Sequence, residues 1–250
     1  MSIIIKDHPD FIAVSKPHNQ LVYKSYYSRN IKTKPLLNEL EEELGYKLYP
    51  IHRLDYKTSG LLLFAKSSAT AKELQQLFEK RLIQKTYLAL VRGFFKEREG
   101  VIDSPVKHPE SGVYLEAETD YHSLLEIELP YPVQPYETSR YTLVVLKPKT
   151  GRMHQLRRHM NKVAHPIIGD HKYGNRHHNR FFESHWSFPD MLLHAHQLTL
   201  SAPFEQEVLV ANVPKTWNIL LEKLLIEGII HYTSTDYKQY AEANNWKSLE

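Results

Sequence analysis

The chain has 250 residues, of which 42% are apolar and 24% are charged, and its formal net charge is +3. This composition is typical of a globular protein with a sizeable core, arranged as one large domain or two small ones. The sequence contains no cysteine, which excludes a disulfide scaffold, thiolate metal sites and a cysteine nucleophile, and fits a reducing compartment.

The first residues, MSIIIKDHPDF, lack the basic segment and the apolar core of a signal peptide. No apolar run approaches the roughly 18 residues that a membrane-spanning helix needs. We therefore expect a cytoplasmic protein.

In the first part of the chain, short apolar runs predict strands, and apolar residues at helical spacing predict helices. The expected strands cover residues 3–6, 11–15, 60–66 and 84–93, and the expected helices cover residues 35–44 and 70–81. Pro35 suits the first turn of its helix and Gly45 its end, whereas Thr70 and Glu73 form a capping-box pattern.

The second part of the chain also contains both predicted strands and predicted helices. The expected strands cover residues 114–118, 124–129, 141–147, 191–200 and 208–210, and the expected helices cover residues 152–162, 217–227 and 236–244. Strands and helices do not alternate regularly along the chain. An α+β fold with a largely antiparallel sheet is therefore favoured over a doubly wound fold.

Positive charge is concentrated in one part of the sequence. Between residues 140 and 180 there are ten lysines and arginines and one acid, Asp170. Such a basic block on a nearly neutral chain is expected for a protein that binds a polyanion. On charge alone, a solvated basic face without a partner is the commoner explanation.

Several common activities lack their sequence motifs. The chain has no GxxxxGK[ST], GxGxxG, GxSxG or HExxH pattern. The triplet HPE at residues 108–110 begins a zinc deaminase signature, but the cysteines that complete that signature do not exist in this sequence. His194 and His196 alternate within a predicted strand, where a core or interface role is favoured over metal binding.

The most informative segment is HRLDYKTSGLLLFAKS, residues 52–67, in which a polar loop leads directly into an apolar strand. Asp55 lies between Arg53 and Lys57, with no other acid nearby in the sequence. A single carboxylate differs from the pair of acids that most glycoside hydrolases use.

The predicted helix in GRMHQLRRHM carries an apolar stripe formed by Met153, Leu156, Met160 and Val163. Arg157 lies about 40° from Met153 around the helix axis, so its side chain is expected to point inward, where an unpaired guanidinium is costly. Asp55 is the favoured partner and Asp170 is the rival. A pair with Arg157 would keep Asp55 ionised and oriented, as a nucleophile or base requires, although a purely structural ion pair fits the pattern equally well.

The basic block suggests a nucleic-acid substrate, and chemistry on a base requires a nucleotide that has left its stack. Tyr87, in the predicted strand QKTYLALVRG, could stack on such a base, although core packing is the commoner role for an isolated tyrosine in a strand. Arg53 could fill the gap that the base leaves.

Five segments together resemble the RluA-type RNA pseudouridine synthases: HRLDYKTSGLLLFAK, KTYLALVRG, TGRMHQLRRHM, HPIIGDHKYG and MLLHAHQLTL, in this order. The similarity covers about residues 3–213, and the stretch 150–180 is most similar to the tRNA pseudouridine synthase C group, which modifies uridine 65 in the acceptor stem of tRNA. The family motif KPxGxxVH reads KPHNQLVY here. Asn19 stands at the glycine position and tolerates a left-handed backbone, whereas Tyr23 replaces the usual histidine.

The resemblance implies a pseudouridine synthase fold, α+β with a mixed, mainly antiparallel sheet flanked by helices and a central RNA-binding cleft. It implies isomerisation of uridine to pseudouridine without a cofactor or metal. Asp55 is then the catalytic carboxylate and Arg157 its partner. Tyr87 stacks on the uracil and acts as the general base.

The resemblance also assigns residues to RNA binding. Arg53 takes the place of the flipped base, and Arg152 and His154 line the cleft. Arg158, which belongs to the basic block, is expected to bind RNA through its charge. The expected partner is tRNA, and neither a membrane nor an obligate protein partner is implied, so a monomer is expected.

We expect a catalytic domain over residues 1–213 and a helical extension over residues 214–250 packed on the same domain. Two alternatives to a tRNA-modifying enzyme stay open. One is a pseudouridine synthase that acts on ribosomal RNA, and the other is a non-catalytic RNA-binding protein built on the same fold.

Overall fold

The structure, a computed structural model, describes residues 3–24, 31–202, 204 and 207–246. The strands are β1 (Ile4–Asp7), β2 (Phe11–Lys16), β3 (Tyr49–Pro50), β4 (Ser59–Ala65), β5 (Gln84–Arg92), β6 (Glu99–Asp103), β7 (Val106–Lys107), β8 (Tyr114–Leu115), β9 (Glu118–Leu129), β10 (Ser139–Pro148), β11 (Leu193–Thr199), β12 (Val208–Val210) and β13 (Ile229–Thr233). The helices are α1 (Leu36–Leu44), α2 (Ser68–Glu79), α3 (Gln155–Lys162), α4 (Arg176–Trp186), α5 (Lys215–Glu227) and α6 (Tyr237–Asn244). In this part of the chain, no helix has the length and apolar character to cross a membrane.

The chain divides into two compact units, of which the first comprises residues 1–85 and 194–212. Its sheet has the order β1-β2-β4-β11, with β3 also paired to β4 and β12 to β11. β4 and β11 run parallel, and the other pairings in this unit are antiparallel. The core is apolar and includes residues of β2, β4, β11 and α2: Phe11, Leu61, Leu63, Leu74, Leu77 and Leu198.

The second unit comprises residues 86–193 and 213–250. Its sheet has the order β5-β10-β9-β13, with β6 also paired to β9, and all these pairings are antiparallel. Helices α4, α5 and α6 pack on one apolar cluster, and α3 packs on another through Leu156 and Met160. The predicted α+β class and the mainly antiparallel sheet are confirmed.

Two predicted helix ends can be compared with the structure. Gly45 ends α1 with a left-handed backbone, φ 76°, as its position predicts. The capping box predicted at Thr70 is wrong, because α2 begins one residue after Ser67. Ser67 has the extended backbone that an N-cap requires, and its hydroxyl accepts a hydrogen bond from the Thr70 amide at 3.1 Å.

The start of α3 differs from the prediction. The helix begins at Gln155 instead of Arg152, because His154 adopts a left-handed backbone with φ 54° and ψ 29° that a continuous helix cannot contain. Met153 therefore lies outside the helix and is 41% exposed, so its place in the apolar stripe was predicted wrongly. Leu156 and Met160 are buried, as the stripe predicts.

Helix α4 was not predicted from the sequence. Its inward face contains Phe182 and Trp186 but also the polar residues His178 and Asn179, all of them buried. The hydroxyl of Tyr141 lies 2.8 Å from His178 Nδ1, which satisfies part of this polar face. Apolar periodicity alone therefore could not identify the helix.

The predicted C-terminal extension forms α5, β13 and α6, which belong to the second unit. Trp217, Leu220 and Trp246 pack in the same apolar cluster as Leu124 and Leu125 of β9. Residues 247–250 of the predicted extension lie outside the described residues. The division into a catalytic domain and an extension stays a prediction.

Candidate active site

Asp55 lies in a short loop between buried residues of the first unit. Ile51 and Leu54 are buried before it, and Thr58 is buried after it, where the chain enters β4. The Thr58 amide donates to the Asp55 carbonyl at 3.1 Å, so residues 55–58 form a tight turn. Asp55 itself is half-buried. The turn therefore presents one carboxylate from a well-defined backbone.

The start of β4 is fixed against β11. Gly60 pairs with Ala195 and has a φ of 111°, and a Cβ atom at this position would lie 2.2 Å from the Ala195 carbonyl oxygen, so only glycine fits. Ser59 Oγ lies 2.8 Å from His194 Nδ1, and His194 Nε2 lies 2.9 Å from the Ala211 carbonyl. Burial lowers the pKa of His194 to about 3, so the ring is neutral, and Nε2 must carry the proton to donate to the carbonyl.

A buried lysine contacts the turn formed by residues 55–58. Lys16 at the end of β2 has no exposed surface, and its Nζ donates to the carbonyls of Pro17, Gln20 and Tyr56 at 2.8, 3.0 and 3.2 Å. Burial lowers the pKa of Lys16 to about 7, and the charge of Asp55 partly offsets this effect. The lysine therefore ties the segment after β2 to the turn that carries Asp55.

His18 makes a second link between the same two segments. Its Nδ1 donates to the Lys57 carbonyl at 2.8 Å, next to the Tyr56 carbonyl that Lys16 holds. Asn19 has φ 56°, which confirms the left-handed backbone expected at this position. Sequence reasoning did not name Lys16 or His18 as site residues. The available signal was a lysine at the end of the mostly apolar strand FIAVSK.

In the second unit, Arg157 is buried, as the helix-face argument predicts. Its Nε lies 2.7 Å from Asp170 Oδ2, and its Nη2 lies 2.8 Å from Asp170 Oδ1, a bidentate geometry. Asp170 Oδ1 also accepts hydrogen bonds from the amides of Lys172 and Tyr173. Burial, the largest single cause, would raise the pKa of Asp170, but the hydrogen bonds and charge of Arg157 and the amides of Tyr173 and Lys172 together outweigh burial and hold that pKa below its ordinary value.

Asp170 was the rival partner for Arg157, and the structure shows this pair. Asp55 belongs to the first unit and Arg157 to the second. The pairing of Asp55 with Arg157 stays a prediction. The Tyr173 ring, whose centroid is 5.1 Å from the Arg157 guanidinium carbon, covers the same guanidinium.

Tyr87 lies near the start of β5, opposite Leu146 of β10. Its side chain is half-buried and packs against the apolar cluster that contains Leu156 and Met160 of α3. Core packing, the commoner role for such a tyrosine, therefore accounts for part of its surface. The rest of the Tyr87 side chain is exposed, and its stacking role stays a prediction.

The arginines predicted to bind RNA differ in their surroundings. Arg53 is exposed, and its guanidinium carbon lies 5.9 Å from the centroid of the Tyr23 ring. Arg152 Nε donates to the Glu116 carbonyl at 3.0 Å, and Arg158 Nη1 donates to the Lys107 carbonyl at 2.8 Å. β7 and β8 pair with each other as a separate two-stranded antiparallel sheet. Arg152 and Arg158 thus support the backbone around this small sheet, a role that the sequence did not indicate.

His154 occupies a special position before α3. Its left-handed backbone turns the chain into the helix, and its Nδ1 lies 3.1 Å from the Tyr173 hydroxyl. Tyr173 in turn covers Arg157. His154 therefore lies beside the buried pair of Arg157 and Asp170, on the side of the aromatic ring.

The basic block is partly neutralised by acids from β9. Arg140 lies 3.3 Å from Glu128, and Lys149 contacts both Glu118 and Asp120. Together with the pair of Arg157 and Asp170, these contacts account for several of the ten charges counted in the sequence. The count of charges in one segment therefore overstates its free positive charge.

No group of three or more histidine, aspartate or glutamate side chains that could hold a metal ion occurs within residues 3–24, 31–202, 204 and 207–246. His196 Nδ1, like His194 Nε2, contacts the Ala211 carbonyl, at 3.0 Å. Both histidines are buried, and burial lowers the pKa of each. Their role is in the core, as the sequence favoured.

Known proteins are similar to this chain over most of its length. A tRNA pseudouridine synthase C of Pasteurella multocida (strain Pm70) is 42% identical, covering 86% of this chain and 92% of that protein. The corresponding protein of Haemophilus influenzae is 40% identical, covering 87% and 95%. Among solved structures, human RNA pseudouridylate synthase domain containing 1 matches with a TM-score of 0.72 and 25% identity, covering 97% of this chain and 94% of that chain.

The family described as RNA pseudouridylate synthase matches residues 10–162, which include the Asp55 turn, Tyr87 and Arg157. The match covers more than half of the chain, and the two relatives above cover 86% and 87% of it. The chain belongs to the RNA pseudouridylate synthase family.

Proposed function

We propose that this protein isomerises uridine to pseudouridine in tRNA, with uridine 65 as the expected position. The observation that carries the proposal is the Asp55 turn, where a half-buried carboxylate is fixed by β4 and by the buried Lys16. Family membership supports the reaction, and the names of the relatives support tRNA as the substrate.

The proposed reaction is balanced within one nucleotide. The bond between C1′ and N1 of uridine breaks, the uracil rotates, a bond forms between C1′ and C5, and the C5 proton is lost while N1 gains a proton. Asp55 acts on the ribose, by attack on C1′ or by assisting formation of a glycal. The reaction requires no oxidant or reductant, because product and substrate are isomers.

The other predicted residues take positions around the base. Tyr87 stacks on the uracil and removes the C5 proton, and Arg53 fills the gap that the flipped uridine leaves. Arg157 orients Asp55 and favours its ionised form. In this proposal Asp170 fixes the guanidinium of Arg157 through the hydrogen bonds that it accepts from Nε and Nη2.

The first experiment replaces Asp55 by asparagine and follows release of tritium from tRNA labelled at C5 of uridine. Turnover should fall by at least about 1,000-fold, since the variant loses a group that acts on the reacting atoms. The Kd for tRNA should change less than about threefold, because one neutral isostere replaces one carboxylate. Asp10→Asn, at an exposed position of the same unit, is the matched control and should keep full activity. Turnover in Asp55→Asn above about one tenth of the wild-type rate would contradict the assignment of Asp55 as the catalytic carboxylate.

A second experiment identifies the substrate. Pseudouridine is mapped in total RNA from cells with and without this protein. Loss of pseudouridine at one tRNA position supports the proposal, whereas loss at a ribosomal RNA position overturns the choice of tRNA. Sedimentation of the purified protein and cell fractionation test the accompanying proposals of a monomer and a cytoplasmic location.

A further inference from the structure

We propose that residues 171–180 form a second RNA-contacting surface, which binds phosphates of the substrate backbone. This surface, here called the cationic surface, consists of His171, Lys172, Arg176, His177 and Arg180. None of these residues was among the predicted RNA-binding residues. The inference rests on the proposed function, because it assumes that the substrate is a structured RNA.

The charge of this surface is not balanced by acids in its own segment. All five side chains are exposed, and no acid occurs between Asp170, which is buried against Arg157, and Glu183. The rest of the basic block contrasts with this segment, since Arg140 and Lys149 contact glutamates and an aspartate of β9. The cationic surface is therefore a place where the positive charge of the basic block remains available to a polyanion.

The position of these charges on α4 is unfavourable for the helix itself. Arg176 is the first residue of α4, at the end where the helix dipole is positive and disfavours cations. Arg176 and Arg180 are four residues apart, and like charges at this spacing repel by about 0.2–0.5 kcal/mol. Cations placed against the intrinsic preference of a helix indicate a partner that supplies negative charge.

The spacing of the two arginines suits a nucleic-acid backbone. Four residues of helix advance about 6 Å along the axis, which is comparable to the separation of adjacent phosphates along one strand. Arginine also binds phosphate through two parallel hydrogen bonds. These features favour an RNA backbone as the partner.

Buried hydrogen bonds hold the surface in place. Asn175 caps α4 by accepting from the amides of His177 and His178. Asn179 accepts from the Gly169 amide at 2.8 Å and donates to the Asp170 carbonyl at 2.9 Å. Because the Asp170 carboxylate holds Arg157, the cationic surface is fixed relative to that predicted catalytic residue within the second unit. A preorganised surface loses little entropy when it binds a charged ligand.

The test variant replaces Lys172, Arg176 and Arg180 together by glutamine, which removes three full charges. The matched control replaces Lys215, Lys223 and Lys238 by glutamine, which removes the same charge from exposed positions on α5 and α6. Both are compared with the wild type in binding to a tRNA transcript across a range of salt concentrations. Urea unfolding of each protein verifies that the fold is intact.

In the test variant, the slope of log Kd against log salt should become shallower by about two to three, because each phosphate contact contributes about 0.7–0.9. The Kd at about 0.1 M salt should rise by at least tenfold. The KM for tRNA should rise in parallel while kcat changes less than about twofold, since the surface positions the RNA without touching the reacting atoms. The control should keep the wild-type slope.

Two results overturn the inference: a slope in the test variant within about 0.5 of the wild-type value, or an equal change in the control. Failure of the proposed function is distinguishable from both, because the wild type would then form no pseudouridine. The salt slope is measured by binding alone, so it reports on the surface whichever RNA position is modified.

Discussion

Replacing Lys16 by methionine should change the pH dependence of stability in a way that identifies the buried ammonium. Burial lowers the pKa of Lys16 in the folded protein to about 7, an effect that the Asp55 charge partly offsets, from an ordinary value of 10.5. Between these two values the unfolded chain binds more protons than the folded protein. The free energy of unfolding of the wild type therefore rises with pH from about 7 to about 10.5, and the penalty of the buried charge is largest below about 7.

The magnitude follows from the same pKa values. Lys16 is half deprotonated at its folded pKa, so raising the pH from about 7 to about 9 should increase the stability contributed by this residue by about 2 kcal/mol. Methionine has no such penalty, but it leaves the carbonyls of Pro17, Gln20 and Tyr56 without their donor. Each carbonyl that water does not reach costs about 1–3 kcal/mol. The variant should therefore be less stable than the wild type at about pH 9, with a gap that narrows toward about pH 7.

The assay is urea unfolding at a series of pH values between about 6 and 9, with Lys72→Met on the exposed face of α2 as the control. Burial also lowers the pKa of Lys85, to about 8, but this residue is present in all three proteins and cancels in the differences. A gap between wild type and Lys16→Met that stays constant within about 0.5 kcal/mol would refute the reasoning, because the ammonium would then titrate near its ordinary value. In Lys16→Met, kcat should also fall while the Kd for tRNA changes little, because Lys16 positions the Asp55 turn.

Two further substitutions test the supports of the site. Gly60→Ala should destabilise the protein by at least about 3 kcal/mol in urea unfolding, because the added Cβ would overlap the β11 backbone. The control Gly45→Ala adds a Cβ that meets no atom within 4 Å, so it should cost only the roughly 1–2 kcal/mol of a left-handed backbone. Equal losses would contradict the steric argument. Asp170→Asn should lower the free energy of unfolding by about 3–5 kcal/mol, because the buried guanidinium of Arg157 loses its carboxylate. This difference between wild type and variant should be fully present above the ordinary pKa of 3.8 and should disappear as the pH falls below it. Exposed Asp103→Asn is the control, and a loss under about 1 kcal/mol in Asp170→Asn would show that the pair does not stabilise the fold.

The sequence predicted elements well where apolar periodicity and turn residues agree. Gly45 ends helix α1 as expected, whereas Pro35 is the N-cap of this helix instead of a residue of its first turn, and every residue of β4 is buried. The cap of α2 was misplaced by three residues because serine and threonine both suit an N-cap, and only the backbone conformation distinguishes Ser67 from Thr70. Local patterns thus give the existence of an element more securely than its ends.

Partners of buried polar groups were harder to predict. The helix face of Arg157 indicated burial correctly, but the choice between two acids depends on tertiary contacts that no local pattern contains. The same limitation applies to α4, whose inward His178 and Asn179 read as surface residues until their hydrogen bonds are known. It also applies to the basic block, since the acids that neutralise Arg140 and Lys149 lie on β9.

Buried ionic groups support the candidate site residues in each unit. In the first unit Lys16 holds the turn of Asp55, and in the second Asp170 holds Arg157 together with the backbone of the cationic surface. A buried ion pair such as that of Arg157 and Asp170 often adds little net stability, because apolar side chains of similar size can serve the core as well or better. A hydrophobic replacement would nevertheless lose the direction that hydrogen bonds impose on the turn and on the guanidinium. In each unit the buried charge therefore fixes the direction of a residue that the proposed function requires, Asp55 in the first unit and Arg157 in the second.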